Sequence, residues 1–490
     1  MLSSIQKMLQ AFDENNIKYC HWKSNEHLNE ALCGDTDLDM LFDPNQRSLL
    51  DRVLNECGLK RFRSVPLMQY NAIEDYIGMD EETAKIWHLH LHYRMTLGEK
   101  HLKGYTITPW TDYILDNRIR DESGIYISNP ETEMVLLLVR IALKLRLRDT
   151  GRKLGKDDRI ELKWLRERIC EDKMKSAIGE MLGEDFIPAL LPLTQKELTK
   201  KGQFRKLYKK ARKSLKIFTG FTKVGSRCLR SKREYFWLVA GVKRRLGLNS
   251  NQAGLRISPS GGSVVVFLGC DGAGKSTTLK YVKKELSKKI DVKSVYLGSG
   301  DGSSSLIRKP MKLIAKKVGG KGVGHAVEKE YSEKKKVSLK ARLYSFAKMI
   351  WAVTLANEKK KKLREMTKAR NNGLVVLCDR YPQIEVAGYS DGPLLTRYLS
   401  KGKGLFYRIA CWEYSIYRSF SFNPPDLTIK LMVPTEVAIE RKPEMTPEEI
   451  ENKKAAIAKM NFSRNNEEIY TDCDMKESLS KVMAAVWRVI

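Results

Sequence analysis

Acidic side chains are in short supply here: 59 Asp and Glu stand against 89 Lys and Arg, a formal charge of +30 over 490 residues. Such a surface attracts polyanions, whether nucleic acid, anionic lipid or phosphorylated substrates. Cysteine is sparse as well. The nine are scattered, odd in number and free of any CxxC spacing, which excludes a disulfide framework and a zinc knuckle and fits a reducing compartment. No apolar run approaches the ~18 residues that a bilayer span requires. The opening MLSSIQKMLQAFDENN reads as the start of an amphipathic helix and not as a signal peptide. Internal repeats are missing, and the length excludes a single compact core. The expectation is a cytoplasmic protein of at least two domains, able to touch the inner membrane surface as a peripheral protein.

What is present divides into three stretches. Residues 1–195 mix helical and strand patterns and include ETEMVLLLVRIALKLRLRD, Glu131 to Asp149, a helix with a broad apolar face. Residues 196–261 read as a basic amphipathic linker. Within it, Lys200 to Arg245 holds seventeen Lys/Arg and one acid, about half the net charge. Phe204, Leu207, Tyr208, Ala211, Leu215 and Phe218 recur there at helical spacing. That segment can lie on anionic lipid, track a phosphate backbone, or dock its stripe on a neighbouring domain. LNSNQAGLRISPSGG, Leu248 to Gly262, has the composition of a connector. From residue 262 to 490, short apolar runs (Val264 to Leu268, Ser294 to Leu297, Leu374 to Cys378, Leu427 to Val433) alternate with long helical stretches. That is the rhythm of a doubly wound parallel α/β sheet.

The first of those runs leads into GCDGAGKS, Gly269 to Ser276, which satisfies GxxxxGK[ST] between a strand and a helix. Gly269, Gly272 and Gly274 let backbone N–H groups curl around an anion, helped by the positive end of the following helix. Lys275 reaches the outer phosphates and Ser276, followed by Thr277, can ligate Mg²⁺. Farther on, GLVVLCDRYP ends a buried strand on Asp379 and Arg380, a carboxylate for the magnesium shell and a fork for an acceptor's anionic group.

Together with PPDLTIKLMVPTEVAIERK, Pro424 to Lys442, these segments resemble the phosphate loop, DR[YFH] segment and strand-to-lid passage of thymidylate kinase and related P-loop nucleotide kinases. The resemblance covers most of residues 262 to 490. It implies that Lys275 and Ser276 bind ATP and Mg²⁺, that Asp379 supports the metal and that Arg380 contacts the acceptor's phosphate. It further implies that Asp271 sits near the acceptor's sugar and that Arg441 opens a lid running to Lys454. Two departures stand out. Leu268 replaces the family's usual glutamate, and VYLGSGDGSSS, Val295 to Ser305, replaces an arginine-rich acceptor loop. This shifts the expectation from thymidylate toward a hydroxyl-bearing acceptor such as a saccharide or nucleic-acid end, with Asp301 in the rewritten loop; the alternative is that the loop is a flexible surface turn.

In the first stretch, IKYCHWKSNEHLNEALCGDTDLDMLFD places Asp37 and Asp39 two apart in a strand, so that both could hold one divalent metal. With Lys23-Ser24 and Gly34 upstream, this resembles the nucleotidyltransferase superfamily and implies an α+β fold. His90, in IWHLHLHYR, then stands where that superfamily carries its third acid. Six of the seven histidines (His21, His27, His88, His90, His92 and His101) fall in this stretch. The alternating His88, His90 and His92 read as one polar face of a half-buried sheet, with a transition metal or phosphate as the alternative.

The expectation is therefore an ATP-dependent phosphotransferase acting on a nucleotide, saccharide or nucleic-acid end, fused to a nucleotidyltransferase-like domain. The alternatives are a nucleic-acid-binding or nucleotide-sensing protein, and a membrane-surface kinase of a lipid-linked saccharide.

Overall fold

A computed structural model describes residues 1–246, 254–298, 339–386 and 391–490. The chain divides into two units, Met1–Pro259 and Ser260–Ile490.

In the first unit the strands are β1 (Tyr19–His21), β2 (Leu38–Phe42), β3 (Lys60–Ser64), β4 (Ile73–Met79), β5 (Ile86–His92), β6 (Thr96–Leu97), β7 (Tyr105–Thr106), β8 (Arg118–Arg120), β9 (Tyr126–Ser128) and β10 (Arg256–Ile257). Eight of them form one mixed sheet in the order β10-β3-β4-β5-β2-β1-β9-β8, and β6 and β7 pair separately. The helix Ser3–Glu14 covers the sheet through Ile5, Met8, Leu9 and Phe12, an i, i+3, i+4, i+7 stripe. Its first turn is capped from a distance: Asp80 accepts from Ser4 N at 2.9 Å and from Ser3 Oγ at 2.8 Å. Burial alone would raise the Asp80 carboxyl, but these bonds and those from Thr83 hold it down, at about 2.

A second core of the same unit is organised by the helix Pro130–Lys144. Asn129 caps it by accepting from Thr132 N, and Pro130 opens it. Glu131 through Leu143 are all buried, so this helix is enclosed on every side and not only along a broad face. It is enclosed because the basic segment closes over it. Phe204, Leu207 and Ala211 are fully buried and Leu215 nearly so, all within this core. Thr219 bridges to Tyr105. The stretch 196–261 is therefore not a linker. Up to Pro259 it belongs to the first unit, which docks the apolar stripe as one of the sequence alternatives required. Residues 248–253 of the expected connector lie outside the described residues.

The second unit is built on β11 (Val264–Gly269), β12 (Val292–Tyr296), β13 (Val375–Asp379), β14 (Leu427–Met432) and β15 (Asn466–Tyr470). They form a five-stranded parallel sheet in the order β12-β13-β11-β14-β15. Val264 to Phe267 and Val375 to Cys378 are buried residue after residue, as in a parallel sheet covered on both faces. β15 escapes the sequence pattern: it is an edge strand, NEEIY, with Ile469 alone buried.

Candidate functional site

β11 lies at the centre of the parallel sheet, and the glycine loop leaves its C-terminal end to enter the helix Lys275–Leu286. Two glycines are obligatory there. Gly272 has φ +85° and a side chain would meet the Ala438 carbonyl oxygen at 2.7 Å, while Gly274 has φ +79°. The first-turn N–H groups of the helix have no intrahelical acceptors and face the loop. Lys275 folds back over it, donating from Nζ to the carbonyls of Gly269 (2.7 Å) and Cys270 (2.8 Å). Burial, and next the Arg380 charge, push this ammonium below its ordinary value against the pull of Asp271 and Asp379. Ser276 and Thr277 are solvent-exposed at the helix start.

Asp379 ends β13, the neighbour of β11, and the register pairs it with Phe267, two residues before the loop's first glycine. Loop and carboxylate thus share one end of the sheet. Its Oδ1 is buried with no hydrogen-bond partner. Burial raises the carboxyl more than Lys275 and Arg380 lower it. A buried, unsatisfied carboxylate oxygen beside a phosphate loop is where the hydration shell of a nucleotide-bound Mg²⁺ belongs, so the donor set fits that ion. Arg380 adopts φ +67°, its N–H donating to Phe267 O at 3.1 Å. Its guanidinium stands 3.5 Å from Asp391. Sequence reasoning missed the support behind it. Lys359, buried on the helix Leu339–Asn371, donates to Leu297 O (2.9 Å) and to Asp391 (3.3 Å), its ammonium pushed down to about 8 chiefly by burial. A lysine at an interior position of a lysine-rich helix carries no sequence signal that separates it from its solvated neighbours.

The residues assigned to acceptor and lid contact one another and the loop. Asp271 forms an ion pair with Lys453. Arg441 ends the helix Thr435–Arg441 and donates to Gly272 O (3.2 Å) and Thr471 O (2.9 Å), clamping the outer side of the loop. The passage beyond it is a helix, Pro447–Lys459, with a Thr446/Glu449 capping box and with Ile450, Ala456 and Ile457 buried. Asp301 and the rest of the acceptor loop from residue 299 lie outside the described residues, as does His325.

In the first unit β2 and β5 run parallel with Asp39 opposite His90. Asp37 Oδ1 stands 3.0 Å from His88 Nδ1 and Asp39 Oδ1 2.7 Å from His90 Nδ1. The two acids do point to one side, but each meets its own histidine. The other Asp39 oxygen pairs with Lys23 at 3.0 Å. Burial raises this carboxyl, yet Lys23 first and then His90 bring it well below the ordinary range. His92 Nε2 completes the group at 3.4 Å from His90 Nδ1, and burial keeps the His90 and His92 imidazoles below their usual values. Mg²⁺ takes oxygen ligands. A carboxylate already held by an ammonium and an imidazole, with Asp37 turned to His88, does not supply them, so the expected Asp37/Asp39 metal pair is not assembled here. Nor are the histidines a half-exposed polar face: His88 and His92 are completely buried. Asp75 on β4, unmarked in the sequence, closes the network by accepting from His88 Nε2 (2.8 Å) and Arg256 Nε (2.9 Å).

No known protein-family model matches the chain. The Escherichia coli K12 protein YghR, described as an uncharacterized ATP-binding protein, is 28% identical over 207 residues, 41% of this chain and 77% of that protein. YghS of the same strain, described likewise, is 26% identical over 204 residues, 41% of this chain and 81% of its own length. Among solved structures, the thymidylate kinases of Candida albicans (15% identical, 47% of this chain and 91% of that one, TM-score 0.27) and Ehrlichia chaffeensis (14%, 46% and 98%, TM-score 0.25) are similar to part of the chain.

Proposed function

We propose that the C-terminal unit is an ATP-dependent phosphotransferase of P-loop kinase type, acting on a hydroxyl- or phosphate-bearing acceptor. The observation that carries this reading is the unsatisfied Asp379 oxygen one strand from the glycine loop. A binding loop needs no such group. A transfer site uses one to hold the cation that neutralises charge on the travelling phosphoryl and keeps it in line. The ATP-binding description of YghR and YghS agrees with the donor half of this assignment.

In this reading the loop amides and the Lys275 ammonium hold the β- and γ-phosphates, and Arg380, braced by Asp391 and Lys359, takes the acceptor's anionic or hydroxyl end. Ser276 and Asp379 would hold nucleotide-bound Mg²⁺, which would supply charge neutralisation. The N-terminal unit does not transfer nucleotides in this reading, because its Asp39 is occupied by Lys23 and His90.

The test is ADP release from Mg-ATP by the full chain against a panel of nucleoside monophosphates, phosphorylated sugars and nucleic-acid ends. One class should stimulate turnover, and Lys275→Ala should lower it on the order of 10²–10³-fold. Undiminished turnover in that variant would refute the donor site.

A further inference from the structure

The docked part of the basic segment ends near Phe218, and the helix that follows, Lys223–Arg245, has two unlike faces. One is fastened to its own unit. Arg233 donates to the carbonyls of His101 (3.1 Å) and Gln69 (3.2 Å), Glu234 receives both ends of Arg146 at 3.1 Å, and the Trp237 ring rests 5.7 Å from that of His101. The opposite face is bare. Val224, Tyr235, Leu238, Val242 and Leu246 fall on one stripe at helical spacing and are 70, 63, 55, 56 and 65% exposed. Ile217 and Phe221, just upstream, are exposed as well.

Rows of cations border that stripe, Arg227 and Arg245 on one side and Lys232 and Lys243 on the other. All four are exposed and none forms an ion pair among the described residues. The only acid of the helix, Glu234, is turned inward to Arg146.

We propose that this outer face docks on an anionic lipid surface, the helix lying in the plane of the interface with its stripe in the headgroup–acyl boundary. An apolar stripe between two cationic rows is the pattern of an interfacial helix. No described helix is long and apolar enough to cross a membrane, so this one lies on the surface. A second copy fits badly, since self-pairing would set the Arg and Lys rows against their likes. A nucleic acid would neutralise the cations but leave Val224, Leu238 and Val242 without a function.

The experiment is co-sedimentation of the full chain with phosphatidylcholine vesicles holding either no phosphatidylglycerol or about 30 mol% of it, an anionic surface like that of a cytoplasmic leaflet. Binding is expected only with the anionic lipid and weaker as salt rises. Lys232→Glu with Lys243→Glu should weaken it by at least about 25-fold, about fivefold for each cation lost. Leu238→Asp with Val242→Asp should abolish it while far-UV circular dichroism stays unchanged, because neither side chain packs in the core. Absence of binding to the anionic vesicles overturns the proposal. So does equal binding by the Leu238/Val242 variant. Tight, salt-sensitive binding of a labelled RNA or DNA duplex that this variant retains would assign the face to nucleic acid instead. A lipid-independent dimer that the variant loses would assign it to a second copy.

Discussion

Two strand aspartates, one in each unit, carry opposite burdens. Asp379 is half-buried beside a lysine, yet its buried Oδ1 stays unsatisfied and its carboxyl is raised. Asp39 is buried outright, but Lys23 and His90 satisfy both oxygens and its carboxyl is depressed. A satisfied buried charge stabilises the local fold and has little left for a ligand. An unsatisfied one is a local liability that a ligand relieves. Sequence spacing made both sites look like metal carboxylates, and only their partners separate them.

The contrast can be broken most severely at Asp39. Asp39→Ala strands the buried histidines and leaves the half-buried Lys23 without its carboxylate, and should cost about 3–5 kcal/mol of stability in the first unit, measured by urea unfolding. ADP release at the other site should barely change in whatever fraction stays folded. A stable Asp39→Ala protein would show that the network is loosely held.

At Asp379 the opposite outcome is expected. Asp379→Asn should leave unfolding within about 1 kcal/mol of the parent while turnover falls on the order of 10²–10³-fold, equivalent to about 3–4 kcal/mol in the barrier. Equal losses of stability and turnover would erase the distinction.

Gly272→Ala sharpens the comparison from the backbone side. The φ of +85° and the 2.7 Å approach to Ala438 O predict a cost of about 1–3 kcal/mol, confined to the loop and read as weakened ATP binding in calorimetry.

The smallest effect concerns another satisfied carboxylate. Asp80 is held at about 2, below its unfolded value, so it stabilises the native state above that unfolded value and loses the effect as pH falls through about 2. Asp80→Asn should therefore cost about 2 kcal/mol at neutral pH, with the difference from the parent vanishing in acid.

Much of the parallel unit was legible beforehand, because strands buried on both faces write continuous apolar runs and a phosphate loop demands glycines at fixed spacing. Val264–Gly269 and Val375–Asp379 were found within a residue of their observed ends. β15 was not, since an edge strand needs only one buried side chain. In the other unit the pattern of the basic segment gave its stripe but not its partner: a helical stripe says that something will cover it, and whether that is a domain or a membrane depends on which hydrophobic surface lies opposite. For Phe204 to Leu215 it is the unit's own core.

The residues alone determined the glycine loop, the Asp379-Arg380 strand end and the excess of positive charge, each a local chemical requirement written over a few consecutive positions. The tertiary structure decided which charges are answered. Lys23 reaches Asp39 across 16 positions, Arg256 reaches Asp75 across 181 and Lys359 meets Asp391 across 32. Compensation of a buried charge is a property of distance in space, and separation along the chain does not encode it.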